Sequence, residues 1–212
     1  GEHWRNSNPH TYQDAIDFII HEGGWVFRMG DPTMTPLLDV PQLIDYAHHP
    51  LRSDWLDIFL AATSRFCIGT SSGFSRVASL FGVPTILSNN PKLIELYSLK
   101  ENDIFLPRLL RNTESNEFLS FSNHIQPPAS TMWRTSLYAQ NNLTWAENSS
   151  DEILEASKEL FLLTNGDRTI FENNAATHES YKRIAENYAS KYFFSDALVS
   201  GNISDYFLKK NP

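Results

Sequence analysis

The stretch Phe66-Cys67-Ile68-Gly69-Thr70-Ser71-Ser72-Gly73 sets small polar residues between an apolar run and a helix-forming segment. Three readings fit it. In one, Gly69 and Gly73 let a ligand approach the backbone, while Thr70, Ser71 and Ser72 add hydroxyls beside a helix N-terminus, whose N–H groups favour a phosphate. In another, Gly69-Thr70-Ser71-Ser72-Gly73 fits Gly-x-Ser-x-Gly, the nucleophile elbow of serine hydrolases, with Ser71 as nucleophile and His124 and His178 as available bases. In the last, the segment is a joint between strand and helix with no chemistry of its own. Neither Gly-x-Gly-x-x-Gly nor a Gly-Lys-Ser/Thr loop occurs, so the usual dinucleotide and ATP fingerprints are absent.

A second constellation, Arg28-Met29-Gly30-Asp31, closes an apolar run. Asp31 there can accept hydrogen bonds from a ribose or base, or close an Asx turn with Pro32. Arg28 within a strand calls for an anion, either a ligand or a carboxylate partner. Further on come Asp45-Tyr46 and Arg52-Ser53-Asp54, with Asp57 three residues later. Ser53 can cap a helix whose N-terminal dipole Asp54 and Asp57 complement. Arg76, one turn into the helix after the serine loop, lies over a bound phosphate or on a solvated face. Asn89-Asn90-Pro91 follows a strand and is either a ligand contact or a turn. His48-His49 are adjacent, so their rings diverge, and no Asp-x-Asp is present; no metal is expected.

The elements that must position these residues are legible from periodicity. Tyr12, Ala15, Ile16, Ile19 and Ile20 predict a helix over 11–22, closed by Gly23-Gly24. Strands are predicted at Trp25 to Met29, Leu43 to Ala47, Arg65 to Ile68, Val83 to Leu87 and Asp103 to Leu106, and helices at 54–64 and 73–81. Ser149-Ser150-Asp151-Glu152 is a capping box opening a helix to about Thr164, and one long helix is expected over 169–191. Pro127-Pro128 breaks the irregular region between. Strands read as continuous apolar runs alternating with helices, so the expected fold is α/β, a doubly wound, mostly parallel, Rossmann-like sheet. Its expected division is a Rossmann-like domain over 1–145 and C-terminal helices over 146–212, packing on that domain or extending it.

Composition narrows the class. The 212 residues are 41% hydrophobic and 20% charged, which suits a folded domain. A formal net charge of −8 argues against a general nucleic-acid partner, which needs clustered Lys and Arg. Any anion must be held locally. No run of 18 apolar residues exists, so no transmembrane segment is expected. Cys67 is the sole cysteine, which precludes an internal disulfide and favours a reducing, cytoplasmic setting. The sequons at Asn142, Asn148 and Asn202 are no more than chance gives. The chain opens on Gly1 without a signal-peptide pattern and reads as a processed or excised piece.

The ordered set of Tyr12, Ala15-Ile16, Gly24 to Asp31, Asp45-Tyr46-Ala47, Ser53-Asp54, Asp57 to Leu60 and Phe66 to Gly73 resembles a family of bacterial GT-B glycosyltransferases. The likeness covers about residues 5–110, with Glu147-Asn148-Ser149 and its helix matching more loosely. A more distant similarity runs to GDP-fucose-dependent fucosyltransferases. The resemblance implies the C-terminal, nucleotide-sugar-binding half of such an enzyme, metal-independent and with no cofactor beyond the nucleotide-diphosphate sugar. It would put Asp31 near base or ribose, and Gly69, Thr70, Ser71, Ser72 and Gly73 on the diphosphate. Arg28 and Arg5 would offset leaving-group charge, with Gly30, Asp45, Ser53 and Arg76 completing the nucleotide-sugar site. No catalytic residue is assigned. The acceptor, a glycan or other molecule, would be bound by an N-terminal half; the chain would begin inside the second half, with His3-Trp4-Arg5 the expected remnant of that half's first-strand region, and the function would lie in polysaccharide biosynthesis. A non-catalytic carbohydrate- or partner-binding module and the Ser71 hydrolase are the alternatives.

Overall fold

The computed structural model describes residues 6–37, 39–192 and 198–211. Its centre is a four-stranded, all-parallel sheet in the order β3 (Cys67–Gly69), β4 (Thr85–Asn90), β5 (Ile104–Pro107) and β8 (Asn202–Ile203). The protein is therefore α/β with a parallel sheet. Every residue of β4 and β5 is buried, as expected of inner strands of a covered parallel sheet.

Ile86, Leu87, Ile104, Phe105 and Leu106 from the strands pack with Leu93, Leu96 and Leu99 of the connection between them. Helix α6 (Ser150–Thr164) covers them. Its Ile153, Ala156, Leu160 and Leu163 recur at helical spacing and all enter the same core. Each fully buried aliphatic side chain contributes about 1.5–3 kcal/mol, so this one stripe is a main source of stability. The capping box at its start forms as expected, with Ser149 and Glu152 satisfying each other's backbone N–H groups. Helix α1 (Gln13–His21) lies against α6, with Phe18 edge-on to Phe161 at 5.5 Å. The chain then turns sharply at Gly24, where a Cβ would meet the Ile19 carbonyl oxygen at 2.9 Å.

Two shorter ladders flank this sheet. β1 (Val26–Phe27) and β2 (Leu43–Ile44) pair in parallel with each other, and among the described residues their ladder is not hydrogen-bonded to β3. β6 (Leu110–Asn112) and β7 (Leu143–Trp145) pair antiparallel, enclosing the short helices α4 (Phe121–Ile125) and α5 (Thr135–Gln140). α2 (Asp54–Thr63), capped by Ser53, and α3 (Gly73–Leu80) pack together through Ala61, Ala78 and Val83.

Several expectations are adjusted. The strands expected over 25–29 and 43–47 shorten to two residues each, because a 3-10 turn at Tyr46–His48 ends the second ladder. The helix expected over 169–191 is broken at Asn174 into α7 (Thr169–Asn173) and α8 (Ala175–Tyr192). Asn174 leaves the helical path and donates its side-chain amide to buried Asp205 at 2.6 Å. The C-terminal segment adds β8 to the sheet and then α9 (Asp205–Lys210), which packs on α6. Gly201 is required there, since a Cβ would fall 2.5 Å from Leu99 Cβ. Among the described residues, no helix is long and apolar enough to cross a membrane.

Candidate ligand site at the carboxyl ends of the strands

In open parallel sheets ligands bind outside the carboxyl ends of the strands, and two polar clusters meet there. The first is the serine loop. Ser72 caps α3 and forms a reciprocal capping box with Ser75, whose hydroxyl also donates to the Thr70 carbonyl at 2.9 Å. Ser75 is 3% exposed and shapes the loop from beneath. Ser71 and Arg76 are left on the outside. The Ser71 hydroxyl donates to one oxygen of Glu95 at 2.7 Å, and Arg76 grips the other at 2.5 Å while also donating to Ser98 at 2.6 Å. Over Gly73 there is nothing within 4 Å of where a Cβ would stand, and at Gly69 a Cβ would make only an ordinary contact with Ser75. Packing does not demand either glycine, and the backbone at Gly73 is uncovered.

The second cluster begins in β4, which turns from apolar to polar at its carboxyl end: Ser88, Asn89 and Asn90 are each no more than 1% exposed. Such groups need partners. Ser88 donates to the Gly69 carbonyl and hydrogen-bonds to Tyr12, whose hydroxyl accepts from the Asn89 side-chain amide. Asn89 has φ +52, a left-handed conformation that asparagine tolerates. It exchanges two hydrogen bonds with Asn148: its N–H donates to Asn148 Oδ1 at 2.6 Å, and Asn148 N–H donates to Asn89 Oδ1 at 2.8 Å. Asn148 also donates to the Pro107 carbonyl, tying β4, β5 and the start of α6 into one unit.

Arg108, immediately after β5, is fully buried. Its guanidinium donates to Asn89 Oδ1 and the Asn6 carbonyl and lies 3.5 Å from Glu147, with the Trp145 ring 5.8 Å away. Burial lowers the Arg108 pKa, and the Glu147 carboxylate opposes that shift. Asn90 accepts the Lys92 N–H on Oδ1, but its Nδ2 is buried without a hydrogen-bond partner among the described residues. An orphan donor of this kind costs about 1–3 kcal/mol. A continuous chain of hydrogen bonds therefore runs from Gly69 through Ser88, Tyr12 and Asn89 to Arg108.

The remaining expected site residues lie in another network. Arg28 pairs with Asp45 at 2.9 Å and donates to the Thr35 carbonyl, while the other Asp45 oxygen accepts the Leu37 N–H. Asp31 accepts the Thr33 N–H at 2.9 Å, an Asx turn beside Pro32 that lowers its pKa. Gly30 sits under Met34 and Ala47. Ser53 caps α2 and exchanges hydrogen bonds with Tyr46. Among the described residues, no hydrogen bond or ion pair joins Arg28, Asp31 or Asp45 to the serine loop. Arg5 lies outside the described residues.

Neither histidine available to the hydrolase reading hydrogen-bonds to Ser71. His124 is buried against the Pro91 carbonyl, and burial pulls its pKa down to about 4. His178 faces Asp205 at 3.4 Å. Among the described residues no group of three or more His, Cys, Asp or Glu could hold a metal ion.

Sequence reasoning passed over Arg108, Ser88 and Glu95, read Tyr12 as part of a helix face and of the resemblance, and met Asn148 as a sequon and Glu147-Asn148 in the resemblance, none of them as site residues. One signal was present: Asp103-Ile104-Phe105-Leu106-Pro107-Arg108 sets an arginine at the end of an apolar strand, as Arg28 follows Trp25-Val26-Phe27. Comparison with protein-family models, curated proteins and solved structures finds no match to this chain.

Proposed function

We propose that this chain binds a nucleotide-diphosphate sugar at the carboxyl ends of β3, β4 and β5, as the donor half of a metal-independent GT-B glycosyltransferase. The observation that carries the reading is the convergence of Ser71 and Arg76 on the two oxygens of one carboxylate, beside an uncovered backbone at the start of α3. A pair of donors that grips a carboxylate in this way also suits a phosphate. Stabilising the departing diphosphate is the main task of such a site, and fixed donors accomplish it without reorganising during the reaction.

Thr70, Ser71, Ser72 and Arg76 serve the diphosphate, and the rigid bed of Asn89, Asn148 and Arg108 fixes the strand ends below it. Following the resemblance, Asp31 serves base or ribose, and Arg28 and Arg5 the leaving group. The doubly wound Rossmann-like architecture, the glycan or other acceptor and its N-terminal binding half belong to the same proposal, so the 212 residues alone bind donor weakly and transfer little.

Calorimetric titration with GDP, UDP, ADP and CMP tests it. A dissociation constant below millimolar for one nucleotide, weakened at least tenfold in Arg76→Ala, is expected. Absence of binding to all of them, or labelling of Ser71 by a fluorophosphonate, would overturn it.

A further inference from the structure

Ser71 and Arg76 are not free to meet a ligand in this state, because Glu95 holds both. Its carboxylate, on the 3-10 turn Leu93–Ser98 between β4 and β5, uses one oxygen for the Ser71 hydroxyl and the other for the Arg76 guanidinium. The contact spans 24 residues in one case and 19 in the other, so it is tertiary and not a by-product of a local turn. Ser98 helps to aim the arginine: it accepts from Arg76 and donates to the Glu95 backbone carbonyl at 2.6 Å. The Glu95 side chain is 17% exposed, and that of Arg76 34%, so the pair sits at the surface, where it can open without unpacking the core.

The chemistry of Glu95 matches what the site is proposed to take. A carboxylate and a phosphate both present oxygen acceptors with negative charge to a hydroxyl and a guanidinium. The single Ser71 hydroxyl proton cannot serve two anions at once, and Glu95 already occupies one edge of the Arg76 guanidinium. With Glu95 seated, an incoming diphosphate finds Arg76 neutralised and meets a like charge within a few ångströms, which disfavours binding.

We infer that Glu95 is a built-in occupant of the diphosphate cradle, and that a nucleoside diphosphate binds by displacing its carboxylate from Ser71 and Arg76. This rests on the reading of the serine loop as a diphosphate cradle. Free of ligand, the protein satisfies its own donors. When ligand enters, Glu95 swings to solvent, and the apparent affinity is lowered by the fraction of molecules in which Glu95 is seated.

The test is calorimetric binding of inorganic pyrophosphate to wild type, Glu95→Gln, Arg76→Ala and the double variant, with GDP and UDP in parallel. Glu95→Gln removes the competing charge and keeps the volume; it is expected to bind pyrophosphate at least tenfold more tightly than wild type. Arg76→Ala weakens binding, and the gain from Glu95→Gln is lost in the double variant. In the wild type, the side-chain carboxyl 13C resonance of Glu95, assigned through its backbone, moves to the position of a solvated glutamate as pyrophosphate saturates. This second readout does not depend on the variants folding. If wild type binds pyrophosphate but Glu95→Gln binds it no better, or the resonance stays in place at saturation, the inference falls and the cradle stands. If neither protein binds pyrophosphate, GDP or UDP at millimolar concentration, the cradle reading falls and the inference with it.

Discussion

Replacing Asn148 by Ala should destabilise the protein far more than an ordinary polar substitution beside a helix start. The side chain is 2% exposed and makes two strong hydrogen bonds to backbone groups: Oδ1 accepts the Asn89 N–H at 2.6 Å, and Nδ2 donates to the Pro107 carbonyl at 2.8 Å. Alanine supplies neither. Each orphaned buried group costs about 1–3 kcal/mol, so the variant should lose about 2–6 kcal/mol. For a chain of this size, at about 2–4 °C per kcal/mol, that corresponds to a fall of about 4–24 °C in melting temperature. Ser149→Ala is the internal comparison, since it removes only a helix cap and should cost about 1 kcal/mol. Urea denaturation followed by circular dichroism measures both. A loss in Asn148→Ala no larger than in Ser149→Ala would show that the Asn89–Asn148 exchange does not hold the strand ends together.

Burial pushes the Glu159 carboxyl up to about 7, against the opposing hydrogen bonds from the Tyr206 N–H, the Ser204 hydroxyl and the Asp205 N–H. A carboxyl raised in the folded state keeps its proton where the unfolded chain has lost it, so its contribution falls as pH rises from about 4.5 to about 7. The size is about 3 kcal/mol, and Glu159→Gln should flatten the difference in stability between pH 5 and pH 8 by that order; an unchanged difference would contradict the assignment. Arg28→Ala removes the partner of Asp45 and of the Thr35 carbonyl, so thermolysin cleavage within residues 31–37 should quicken several-fold. The same variant should lose nucleotide affinity, and unchanged affinity would remove Arg28 from the site. Burial pushes the Cys67 thiol up to about 12, so its reaction with an aromatic disulfide reagent at pH 8 should be far slower in the native protein than in urea; equal rates would contradict its burial.

The parallel sheet was legible because its strands are continuous apolar runs and its helices carry their own caps, as at Ser53, Ser72 and Ser149. Strands of two or three residues carry no periodicity, which is why β8, β6 and β7 escaped notice. The helix break at Asn174 is accompanied by a hydrogen bond to Asp205, more than thirty residues away, which no local pattern marks. The same limit applied to the site. The serine loop announces itself through local composition, whereas Tyr12, Asn89, Arg108 and Asn148 become a cluster only when two strand ends and two helix starts are brought together. Ser71 shows the difference most clearly. Its residue type allowed a nucleophile or a phosphate donor, and its hydrogen-bond partner, Glu95, sits in a turn that periodicity does not mark as special.

Hydrogen–deuterium exchange of the full chain, with and without the nucleotide that binds most tightly, tests the central claim most directly. The account predicts protection concentrated in residues 69–76, 88–92 and 107–108. Protection confined to the cleft lined by Asn174, Thr177, Tyr181 and Asp205, with the serine loop unaffected, would contradict it.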